Sequence, residues 1–163
     1  IVRYRSNGGA LMLRVGKLTD YGTAVMTSLA QHPDRLQSAT EIAADLGLTL
    51  PTVSKILKAL VHNGLLVSHR GAKGGYSLAA APGAITVAQI IAAIEGPIAL
   101  TECSDTAQLC DQESLCSVRG NWQRINKAVL TALQQVSLAE LARPEERPLR
   151  FTPPRAVPRV EGL

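Results

Sequence analysis

Residues 38–78 read SATEIAADLGLTLPTVSKILKALVHNGLLVSHRGAKGGYSL, and this stretch decides the fold. Ser38 followed by Glu41 makes a capping box, which predicts a short helix over Thr40–Leu46 that Gly47 stops. Thr49 is then placed to cap a further helix with Pro51 in its first turn, where proline is tolerated. Val53, Ile56, Leu57 and Leu60 form the buried stripe of that helix, and Asn63-Gly64 ends it. A short helix, a turn centred on a glycine and a longer helix read together as a helix-turn-helix.

The outward face of the longer helix carries Pro51, Thr52, Ser54, Lys55, Lys58 and His62. Short donors and cations without a carboxylate suit a major groove, because nothing there repels phosphate. A purely structural helix pair would share the apolar stripe but mix acids into the outer face. Next, Leu65–Ala79 places two short apolar strands around Arg70-Gly71-Ala72-Lys73-Gly74-Gly75, a hairpin whose glycines permit a tight turn. It reads as a wing with Arg70 and Lys73 at its tip, in reach of phosphates or a minor groove. The rival, a phosphate-cradling loop, lacks the GxxxxGK[ST] spacing and is followed by a strand instead of a helix.

Upstream, Leu18, Tyr21, Val25 and Leu29 share one helical face, with Thr19 as the expected cap and Pro33 beyond the end. Residues 1–12 show neither period and read as an upstream or disordered segment, with Met12 available as a start. Downstream, Thr86 with Gln89 is a second capping box that opens a helix over Val87–Glu95, and Gly96-Pro97 closes it.

Every cysteine in the chain then falls within one stretch, TECSDTAQLCDQESLCSVRGNW, residues 101–122. Cys103, Cys110 and Cys116 are an odd set of thiols with Ser, Asp, Thr, Gln and Glu as neighbours, unlike inert cysteines on an apolar face. They read as metal or cluster ligands. Gaps of six and five residues fit structural zinc poorly. Three thiolates with one further oxygen or nitrogen donor can hold a [2Fe-2S] cluster, and the weaker ligand would make it a labile sensor more than an electron carrier. A zinc- or thiol-switched protein using the same cysteines is the alternative.

From about Val118 to Gln135, Val118, Trp122, Ile125, Val129 and Leu133 recur at near-heptad spacing. The rest of the chain is too small to bury both this stripe and the helix-turn-helix core, so a symmetric homodimer is expected, its half-sites about 34 Å or a multiple apart on DNA. Ser137 with Glu140 caps one last short turn, and residues 143–163, with five Pro and five Arg, read as a disordered tail.

Composition sets the outer bounds. The 163 residues are 46% hydrophobic and 18% charged, with five aromatic residues, so the core must be aliphatic. Residues 1–80 carry nine Lys and Arg against four Asp and Glu, whereas residues 81–142 carry three against six, a basic first half that suits a polyanion. No apolar run approaches a membrane span of roughly 18 residues, and the expected compartment is the cytoplasm, where free thiols survive. Neither a C-x-x-C pair nor a Ser/His/Asp order points to an enzyme. His32, His62 and His69 lack the spacing of a metal pair and read as surface or phosphate-contacting residues.

The fold class is thus mainly α with a small β-hairpin wing: a winged helix-turn-helix domain (13–96), a cysteine segment (97–117) and a long C-terminal dimerisation helix (118–142). The order of RGAKGGYSLA, TVAQIIAAIEG, three cysteines and VRGNWQRIN resembles the IscR and NsrR family of winged-helix iron-sulfur regulators, over roughly Leu13 to Leu141. Within it, the chain looks most similar to the branch that regulates the SUF iron-sulfur assembly system. The resemblance implies a homodimeric transcriptional regulator, here a repressor of iron-sulfur assembly or stress genes, whose cluster state controls binding to double-stranded promoter DNA. It implies Cys103, Cys110 and Cys116 as cluster ligands. Where the IscR branch places a ligating histidine this chain has Arg119, whose guanidinium offers iron no lone pair. Leu18-Thr19-Asp20-Tyr21-Gly22 is similar to the start of the NsrR branch, where the matching aspartate reaches the partner's cluster, so Asp20 is the implied fourth ligand. An acid in the first turn of a helix also offsets its dipole, which is the plainer role for Asp20. Base-reading positions of the family match Pro51, Thr52 and Ser54, with Arg70 in the wing.

Overall fold

The computed structural model describes residues 15–71, 73–100 and 119–143. Three helices come first, α1 (Lys17–Gln31), α2 (Ala39–Leu46) and α3 (Leu50–His62), followed by a hairpin of β1 (Leu66–His69) and β2 (Gly75–Leu78). A 3-10 turn at Pro82–Ala84 leads into α4 (Val87–Glu95), and α5 (Arg119–Gln135) and α6 (Leu138–Leu141) complete the order. The strands pair antiparallel in the register Leu66 with Leu78 and His69 with Gly75. The chain is therefore a mostly helical winged helix-turn-helix, as its patterning predicts.

Local chemistry sets most of the boundaries. The Ser38 hydroxyl accepts from the Glu41 N–H at 3.2 Å while the Glu41 carboxylate accepts from the Ser38 N–H at 2.7 Å, and the same reciprocal box forms at Thr86/Gln89 and Ser137/Glu140. Each box satisfies two donors that a helix start would otherwise leave unpaired. Gly47 ends α2 at φ 63°, a left-handed conformation that a side chain disfavours, and so produces the sharp turn into α3.

Two expected caps differ in detail. Thr49 does stand at the start of α3, but its hydroxyl pairs with the Thr52 hydroxyl at 2.8 Å and not with a backbone N–H. Thr19 lies inside the first turn of α1, whose cap position is Gly16; its buried hydroxyl donates to the Glu95 carboxylate at the end of α4. Glu95 also accepts from the Gly16 N–H at 3.1 Å, so a tertiary carboxylate serves the start of α1 in place of a local side chain.

One aliphatic core joins these elements. Val25, Met26 and Leu29 of α1 meet Ile42 of α2, Val53, Ile56, Leu57 and Leu60 of α3, Leu65 and Leu66 beside the wing, Ile90 of α4 and Leu138 of α6. Each such side chain, fully buried, stabilises the fold by about 1.5–3 kcal/mol relative to exposure. Leu138 was legible only as part of a short last turn, yet it is sealed in this core. The backbone carries it there: Leu138 N–H donates to Ile85 at 2.7 Å and Val87 N–H donates to Val136 at 2.9 Å.

Candidate nucleic-acid interface

Four-residue spacing decides which side chains α3 offers to solvent. With Val53, Ile56, Leu57 and Leu60 buried, Pro51, Ser54, Lys55, Lys58 and His62 are exposed and Thr52 is half-buried. All six therefore lie on the side turned away from the core, as their spacing predicts. No acid stands in the first turn of α3, so its N-terminal dipole is free to face an anion. Among the described residues the one ion pair is Arg35 with Glu41, at 2.7 Å on α2's approach, and no carboxylate pairs with Lys55, Lys58, Arg70 or Lys73.

Arg70 and Lys73 are exposed at the hairpin tip, where the Gly74 N–H donates to the Gly71 carbonyl at 2.9 Å to close the turn. His69 and Ser77 hydrogen bond across the strands at 3.0 Å, which gives His69 a structural role in the wing. Helix and hairpin together present cations on two separate elements, the arrangement by which a winged helix grips a groove and the backbone beside it.

Asp20 is exposed in the first turn of α1. It lines an open cavity of about 580 Å³ with Thr23, Ala24, Thr27, His32, Asp45 and Leu46. Cys103, Cys110 and Cys116 lie outside the described residues, and among the described residues no group of three His, Cys, Asp or Glu comes together as a metal site. The buried Asn126 of α5 accepts from the Leu100 N–H at 3.1 Å and donates to the Ile98 carbonyl at 3.3 Å. Residues 98–100 are thereby held on α5, which begins at Arg119, roughly two turns before Asn126.

Sequence reading passed over Glu95 and Asn126. Glu95 carried a signal, since a carboxylate in the last turn of a helix opposes the macrodipole unless it serves another element. Asn126 carried the weaker signal of an amide on the flank of an apolar stripe.

A helix-turn-helix with an acid-free outer face and a cationic hairpin beside it defines the class: a winged-helix DNA-binding protein. The Rrf2 family, described as an iron-dependent transcriptional regulator, matches residues 15–144. The chain belongs to that family and is a transcriptional regulator, not an enzyme. It is similar to protein rrf2 of Nitratidesulfovibrio vulgaris, 31% identical over 124 residues that span 76% of this chain and 83% of the relative. Among solved structures it is similar to CymR, the global cysteine regulator of B. subtilis, with TM-score 0.64 and 35% identity over 80% of this chain and 96% of that one. It is likewise similar to T. potens IscR, with TM-score 0.59 and 32% identity over 79% and 85% of the two chains. No helix among the described residues is long and apolar enough to cross a membrane.

Proposed function

We propose that this regulator binds promoter DNA as a homodimeric repressor, and that its cysteine segment holds a [2Fe-2S] cluster whose state sets operator affinity. In this reading Pro51, Thr52 and Ser54 read base edges, while Lys55, Lys58, Arg70 and Lys73 contact phosphates and the adjacent groove. The genes controlled are those of iron-sulfur assembly or oxidant and nitric oxide stress.

The observation that carries the sensing half is that all three thiols belong to a segment entered beside Asn126 and left at Arg119 of the same helix. Tying the two ends lowers the loop-closure entropy that three ligands must otherwise overcome to meet. Donor chemistry fits the group: three thiolates suit iron-sulfur ligation, and Asp20 is an exposed carboxylate available to a second copy. When bound, the cluster supplies an iron centre that oxidants or nitric oxide can disrupt. The protein's own residues do the rest, since losing the ligand set releases the segment from α1 of the partner and changes how two recognition helices are spaced. The family is described as iron-dependent and the similar CymR is a cysteine regulator, and metal analysis of this chain separates the two signals.

Anaerobically purified protein should show visible absorption bands with iron and sulfide in equal amounts. Colourless protein carrying stoichiometric zinc would replace the cluster by the zinc- or thiol-switched alternative and leave the DNA-binding half standing.

A further inference from the structure

We propose that Gln37 is a positioning residue for the wing: buried and out of reach of DNA, it fixes the hairpin against α1 and so sets how much the wing cations contribute to operator binding. The inference rests on the docking face proposed above, and it does not depend on a cluster.

The wing needs such an anchor. Two strands of four residues are marginal alone in water, and Leu66 is the one strand residue fully sealed in the core, so the rest of the hairpin gains from further pairing. Gln37 supplies the pairing. Its N–H donates to the Tyr76 carbonyl at 3.2 Å and its carbonyl accepts from the Tyr76 N–H at 2.9 Å, a one-residue third strand along β2. The approach is so close that a Cβ at Gly75 would lie 2.8 Å from the Gln37 carbonyl oxygen, which is why glycine opens β2.

While the backbone of Gln37 holds the wing, its side chain holds α1. The amide Nε2 donates to the Ser28 carbonyl at 3.3 Å, and the Ser28 hydroxyl donates to the amide oxygen at 3.4 Å. Ser28 lies in the last turn of α1, where the His32 N–H turns back to Leu29 and leaves the Ser28 carbonyl to be satisfied from outside. Gln37 is 2% exposed, so it cannot itself meet a phosphate or a base. It also occupies the position before the Ser38 cap, where an apolar residue usually packs as a hydrophobic staple. If burial were its only task an aliphatic side chain would serve better, because a buried amide is costly unless bonded. Every polar group of the residue is spent on joining the two elements.

A double-mutant cycle tests this, with operator affinity measured by fluorescence anisotropy across a salt series. In wild-type protein Arg70→Ala should weaken binding about tenfold and lower the salt slope by about one, the loss of one phosphate contact. In a Gln37→Met background, which keeps the length and the backbone pairing with Tyr76 but removes both side-chain bonds to Ser28, binding should start about tenfold weaker and Arg70→Ala should cost less than about twofold more. Ser28→Ala removes only the hydroxyl and guards against misfolding of Gln37→Met; there the Arg70→Ala loss should shrink to an intermediate value. A full tenfold Arg70→Ala effect in both backgrounds would overturn the proposal and leave Gln37 a stability residue, visible only as a lower melting temperature. If Arg70→Ala had no effect even in wild-type protein, the wing would not touch DNA, and the docking face and this inference would fall together.

Discussion

Helices α3 and α5 both carry an apolar stripe, and they differ in whether the chain completes it. Val53, Ile56, Leu57 and Leu60 of α3 are wholly buried by α1, α2, α4 and the wing. On α5, Trp122 and Ile125 remain 39% and 46% exposed, and Val129 and Leu133 are half-buried. The stripe of α3 is finished within one subunit, so the exposed Lys55 and Lys58 stand on a packed support. The helix that follows the cysteine segment leaves an open seam, which a second α5 related by a two-fold axis would close. In the proposed function, DNA contact would thus be built within one chain and sensing by a pair of chains.

The contrast is broken most severely from the α3 side. Leu57→Ala should cost about 2–5 kcal/mol in chemical denaturation, because it opens a cavity in the shared core. Ile125→Ala should change subunit stability by less than about 1 kcal/mol, and an equal loss at both positions would mean that α5 is already packed within the subunit. Trp122→Ala should instead raise the dimer dissociation constant by tenfold or more in sedimentation equilibrium, about 1.4 kcal/mol, since a two-fold interface loses the side chain twice. Unchanged dissociation would place the dimer seam elsewhere. Lys55→Ala, on the finished helix, should weaken operator binding several-fold and reduce its salt slope by about one without altering the dimer.

Smaller effects sharpen the account of α2, which carries the turn into α3. Ser38→Ala should lower stability by about 1 kcal/mol through loss of the cap. Acid should act in the same direction. Glu41 and Glu140 are held below the usual carboxylate range, first by the backbone N–H groups of Ser38 and Ser137, then by the serine hydroxyls, with Arg35 adding to Glu41. A carboxyl depressed in the folded state stabilises above its unfolded value and loses that contribution as pH falls through the folded value. The melting temperature should therefore fall slightly below about pH 4, and Glu41→Gln together with Glu140→Gln should flatten that fall.

Much of this architecture was legible because it is encoded locally. Ser38/Glu41, Thr86/Gln89 and Ser137/Glu140 close within three residues, and Gly47 needs only its own backbone, so α2, α4 and α6 begin or end where their residues say. The outer face of α3 followed in the same way from its 3.6-residue period. What escaped were pairings between distant parts of the chain. Thr19 looked like a cap because nothing nearby reveals a partner 76 residues on, and Leu138 looked peripheral because its place in the core depends on a backbone bond to Ile85. Gln37 was silent for another reason: its two tasks fall on elements on either side of it, and neither leaves a periodic signal.

The most direct test of a reader finished in one chain and governed by a sensor shared between two is operator affinity in two metal states. Anaerobically purified protein and the same protein after iron chelation should differ in affinity by at least about tenfold, or 1.4 kcal/mol, while protein with serine at Cys103, Cys110 and Cys116 should hold one affinity throughout. If the serine variant responds to chelation as the parent does, the thiols do not govern DNA binding and the account is wrong.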